Sequence, residues 1–118
     1  MKKEYRIKKS GEIDAIFKQK KSKSNQFYGV YQKQNENNQH FRFALSIGRK
    51  YGNAVERNLA KRRIRMIVAE YSKYMKAQLD FVIVIKPLSK ALSYQEIKTN
   101  LDELFKKSNL MEKEHASY

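Results

Sequence analysis

The sequence predicts one α+β domain, a mixed β-sheet crossed by a βαβ unit. Three observations carry that prediction. A chain of 118 residues, 41% of them hydrophobic, can fill one modest core and is too apolar for a disordered tail. Apolar and polar residues alternate from Phe41 to Ile47, and an unbroken apolar run covers Phe81 to Ile85, so a strand is expected at each place. Between them Ala60, Ile64, Ile67, Val68 and Tyr71 recur at helical spacing. Strand, long helix, strand is the βαβ pattern. No internal repeat or boundary divides the chain, so residues 1–118 read as a single domain.

Taken in order, residues 1–9 read as a basic, extended arm. Ser10 is an N-cap type, and Ile13, Ile16 and Phe17 follow at helical spacing, which predicts a short helix to about residue 19. Residues 20–25 are a polar loop. Residues 26–33 are rich in strand formers, with Phe27, Gly29 and Tyr31 on one face and Tyr28, Val30 and Gln32 on the other. The polar turn at 34–39 implies that the strand over 41–47 runs back antiparallel. Gly52 and Asn53 are turn and N-cap types, so the long helix should start near Ala54 and end near residue 74 or 75. The run 81–85, bounded by Asp80 and Pro87, suits an interior strand covered on both faces. Ser93 and Glu96 form a capping-box pattern, and Ile97, Leu101, Leu104 and Phe105 give the helix after it one apolar face. Residues 108–118 read as a flexible tail.

Charge narrows the function. Lys and Arg number 26 against 12 Asp and Glu, a formal net charge of +14, which points to a polyanionic partner. The absence of cysteine excludes disulfides, thiolate metal sites and a cysteine nucleophile, and it fits a cytoplasmic location. The basic start lacks the apolar run of a signal peptide, and no stretch is long and apolar enough for a membrane span. His40 falls in a turn and His115 in the tail, neither at metal-ligand spacing. The carboxylates are scattered, with no pair that marks a protein nuclease. No catalytic or metal-ligating side chain is expected in the protein itself.

The stretch 48–65 carries the strongest signal. Seven cations (Arg49, Lys50, Arg57, Lys61, Arg62, Arg63 and Arg65) stand there with one acid, Glu56. On a helix, Arg57, Lys61 and Arg65 share one side with Asn58 and Arg62 beside them, and the apolar positions fill an adjoining side. Arg63 and Glu56 lie away from both and either pair or stay solvated. Arg forks suit phosphate oxygens, and an amide such as Asn58 can both donate and accept.

The pattern Gly52-Asn53-Ala54-Val55-x-Arg57-Asn58-x-x-Lys61-Arg62-x-x-Arg65 closely resembles the signature of the bacterial ribonuclease P protein component. The likeness extends more loosely from about Tyr5 to Lys107. It implies a fold like domain 2 of ribosomal protein S5, with a left-handed βαβ crossover in place of the usual right-handed one. It implies a subunit of a ribonucleoprotein endonuclease in which the RNA is catalytic, holds most of the magnesium and removes the 5′ leader of precursor tRNA. The partners implied are that catalytic RNA, one protein to each, and precursor tRNA; no organic cofactor is implied. By the same resemblance Arg49, Lys50, Arg57, Asn58, Lys61, Arg62 and Arg65 would bind the catalytic RNA. Asn53 is expected to cap the helix, and Gly48 stands where relatives more often have Ser. Ile13, Phe17 and Tyr31 would bind the single-stranded leader in a cleft between the first helix and the sheet, where an unpaired base can stack on a ring. Two other readings are open: another RNA-binding protein, such as a ribosomal protein, and a protein-only nuclease.

Overall fold

The computed structural model describes residues 3–112. Three α-helices and four strands make it up: α1 (Ser10–Lys18), β1 (Ser22–Ser24), β2 (Tyr28–Gln34), β3 (Arg42–Ile47), α2 (Ala54–Tyr71), β4 (Leu79–Ile85) and α3 (Tyr94–Lys107). The sheet is mixed, in the order β1-β2-β4-β3. β2 runs antiparallel to both β1 and β4, while β3 and β4 are parallel and joined through α2, the expected βαβ unit. β3 does run opposite to β2, but the two are not neighbours, because β4 lies between them. That central place explains the unbroken apolar run: Phe81, Val82 and Ile83 are fully buried, with a layer on each side of the sheet.

Alternation sorts the side chains between those layers. Tyr28 and Val30 of β2, Phe43 of β3 and Phe81, Ile83 and Ile85 of β4 join the main core, with Ile64, Ile67, Val68 and Tyr71 of α2 and Leu101 and Phe105 of α3. Ala44 and Val82 point the other way, where they meet Ile7 and Ile16 in a smaller cluster under α1. On that side Arg42 donates to Asp80 (3.1 and 2.8 Å) and to Glu12 of α1 (2.7 Å). Asn35 and Asn38 also donate to Asp80. Burial alone would push the Asp80 carboxyl up, yet these donors together hold it below the ordinary range.

Four local expectations need correcting. α1 is preceded by Lys9 with no side-chain cap, and Ser10 is its first residue. The loop expected over 20–25 contains β1, a short edge strand whose Ser-Lys-Ser sequence shows no strand pattern and which exists by pairing with β2. The arm is docked at its inner end: Arg6 bridges to Phe43, Ile7 donates to the Phe43 carbonyl, and Ile7 is buried. It thereby covers part of the β3 edge. The tail cannot begin at 108, since Ser108, Leu110 and Met111 are buried and Lys76 and Glu112 form backbone hydrogen bonds that tie 110–112 to the turn after α2. Residues 113–118 lie outside the described residues.

Candidate nucleic-acid interface

α2 is started by its own sequence. The Asn53 side chain accepts from the Glu56 N–H, and the Glu56 carboxylate accepts from the Asn53 N–H, a complete capping box. A Cβ at Gly52 would press on the Glu56 carboxylate and disturb the capping box. Glu56 does not pair with Arg63. Its partner is Lys90 (2.6 Å), on the turn after β4. That ion pair, followed by the backbone bond from Asn53, lowers the Glu56 pKa.

The cations around this helix divide into three groups. Arg49 and Lys50, on the short 3-10 turn before it, and Arg62 on α2 are exposed, as is the neutral amide of Asn58. Arg57 is half-buried and donates to the Gly52 carbonyl (2.7 Å), so part of its guanidinium secures the helix start. Lys61 and Arg65 turn toward α1 and line a recess of about 250 Å³ with Arg6, Lys8 and Ile13. Among the described residues no carboxylate lines that recess. Burial, and after it the neighbouring Arg6 charge, lowers the Arg65 pKa. The Arg6 Nε is buried with no hydrogen-bond partner among the described residues. Like charges held together without a counterion favour an arriving anion.

Ile13, Phe17 and Tyr31 come together as a second feature. All three are partly buried against the small cluster between α1 and the sheet. The rings of Phe17 and Tyr31 meet edge to face, with centroids 4.8 Å apart at 70°. Tyr31 is opposite Ser22 in the register, and Gly29 is opposite Ser24, so both hydroxyls are on the face that carries Tyr31. A Cβ at Gly29 would sit in ordinary contact with the Tyr31 ring, 3.5 Å away.

Ile13 belongs to both the aromatic cleft and the cationic recess, so the two expected sites are adjacent. Sequence reasoning missed Arg6, Lys8, Ser22 and Ser24. The basic residues at 6 and 8 were visible, but nothing local said that this segment docks beside α2. Among the described residues no group of three or more His, Cys, Asp or Glu converges to hold a metal ion, and no helix is long and apolar enough to cross a membrane. His40 packs on Tyr5 with centroids 4.1 Å apart, and His115 lies outside the described residues.

The comparisons with known proteins agree with one another. The family model described as Ribonuclease P matches residues 1–109. The Ribonuclease P protein component of Acholeplasma laidlawii is 49% identical over 114 residues, covering 97% of each chain. The solved Staphylococcus aureus RNase P protein superposes with a TM-score of 0.86 at 30% identity, covering 92% of this chain and 98% of that one. A mutant S. aureus RNase P protein with defective mRNA degradation activity gives 0.87 at 31% identity, covering 92% of each chain.

Proposed function

Because this chain belongs to the ribonuclease P protein family, we propose that it holds a catalytic RNA and a precursor tRNA together while the RNA cuts. It is the protein component of a tRNA-processing ribonucleoprotein. Two RNAs repel each other through their phosphates, and a protein of net charge +14 between them screens that repulsion and can touch both. The outward cations Arg49, Lys50 and Arg62, with Asn58 and the free edge of Arg57, would contact the catalytic RNA. Phe17 and Tyr31, with Ile13, would take unpaired leader bases. Lys61 and Arg65, together with Arg6 and Lys8, would hold phosphate where the two surfaces adjoin.

The observation that supports this reading best is that adjacency: an aromatic cleft suited to bases opens beside a cationic recess suited to phosphate. Magnesium would be bound mainly by the RNA, as membership of the family suggests. The protein is expected to stay in the cytoplasm, with one copy per RNA. Reconstitution with the catalytic RNA at low magnesium tests the reading. The protein should lower the magnesium required and favour precursor over mature tRNA. RNA-free protein should leave precursor tRNA intact, and the S. aureus mutant makes an mRNA substrate a necessary control in the same assay. Cleavage of precursor tRNA by RNA-free protein, tracking the protein through purification, would overturn it.

A further inference from the structure

Four large apolar side chains are exposed among the described residues, and three of them stand on α2: Val55 at 77%, Leu59 at 37% and Met66 at 55%. At 100° per residue these three fall within about 40° of one another, turned about 130° from the centre of the face that carries Ala60, Ile64, Ile67 and Tyr71. They form a ridge about 16 Å long at 1.5 Å per residue, with Arg62 set into it and Asn58 beside it. None of the three is a buried member of either core cluster, and Leu59 is the most covered of them. The cap and the core face do not need them there, since Asn53 and Glu56 start the helix and Ile64 and Ile67 anchor it.

We propose that this ridge seats unpaired bases of the RNA partner and supplies the part of the affinity that salt does not screen. The proposal rests on the reading that the protein binds a catalytic RNA. Charge selects the occupant. A second copy would bring the same +14 and the same arginines to the contact, whereas RNA brings phosphates for Arg62 and apolar base faces for Val55, Leu59 and Met66. Met66 adapts to an uneven surface, since its chain is unbranched and polarizable. Arg62, in the middle of the ridge, can stack on a base while its edge meets a phosphate.

Phosphate contacts set how steeply affinity falls with salt, while apolar contacts shift affinity equally at every salt. The test is therefore a binding series of the V55T/L59Q/M66Q protein against the catalytic RNA, over a range of monovalent salt at fixed magnesium. Val55 and Met66 are mostly exposed and Leu59 partly so, and a thermal melt should therefore fall no more than a few degrees below the parent. The triple variant should bind about tenfold or more weakly, a loss in keeping with the apolar area removed, with an unchanged log–log slope. Base-specific chemical probing of the complex should show a few unpaired bases losing protection. Arg62→Gln should instead flatten the slope. Unchanged affinity and probing in the triple variant would overturn the proposal while leaving the family reading intact. So would a changed slope, or unchanged RNA binding beside a loss of self-association in sedimentation. A parent protein that bound no catalytic RNA would remove the family reading and this proposal together.

Discussion

Tyr31→Ala separates leader binding from folding. Tyr31 belongs to the small cluster under α1 and is partly exposed, while the main core lies on the other face of the sheet. Its loss removes one edge-to-face contact with Phe17, worth about 0.5–1.5 kcal/mol, and some apolar burial. The domain should therefore stay folded, with stability lowered by about 1–3 kcal/mol and the melting temperature by several degrees. Losing one base-stacking contact costs about 1–3 kcal/mol of binding. The holoenzyme's affinity for a precursor tRNA with a long leader should then fall by up to about two decades. A leaderless substrate should bind as before, because nothing in it reaches the cleft. Tyr31→Phe should keep most of the affinity, since the ring stacks without its hydroxyl. The assay is a pair of binding curves, long-leader and leaderless, run beside a thermal melt of each variant. An equal loss on both substrates would refute the assignment and return Tyr31 to the core.

The cationic surface gives a second test: Lys61→Ala and Arg65→Ala should each reduce the salt slope of RNA binding by about 1, and Arg63→Ala should do less. An Arg63 variant as defective as Arg65→Ala in that titration would contradict the surface drawn here. Asp80→Asn should cost about 2–4 kcal/mol in a urea titration. That is near the low end for a broken buried pair, because Arg42 is 23% exposed and keeps Glu12. The folded Asp80 carboxyl titrates below its ordinary value, so its contribution is complete above the unfolded pKa and is lost as pH falls through the folded one. The parent should thus lose more stability than Asp80→Asn on acidification below about pH 4; parallel acid curves would count against the network. Asn53→Ala should lower stability by about 0.5–2 kcal/mol through the lost cap, while Asn53→Asp, which can still accept from the Glu56 N–H, should lose less in the same denaturant titration.

What the sequence determined by itself is what short-range periodicity can encode. Period two over 41–47, the apolar run at 81–85 and helical spacing from 60 to 71 each describe a segment against one surface, and each appears as read. The Ser93 capping box and the Asn53 N-cap are equally local, since donor and acceptor are three residues apart, while the part Glu56 plays in a box with Asn53 emerged only in the structure. The cations of α2 were legible as a cluster. What only the tertiary structure decided depends on partners distant in the chain. β4 inserts between β2 and β3, which no turn at 34–39 could announce. Ser22–Ser24 becomes a strand because β2 offers it an edge, not because its residues favour one. Glu56 pairs with Lys90, and Arg6 comes to rest near Arg65, through chain packing that helical phase does not contain. The division of the cations into an outward set and a recess set follows the same cause. A helical wheel gives the direction of a side chain about its own axis, while the docking of α1 on the sheet and of the N-terminal segment on β3 determines what that side chain meets.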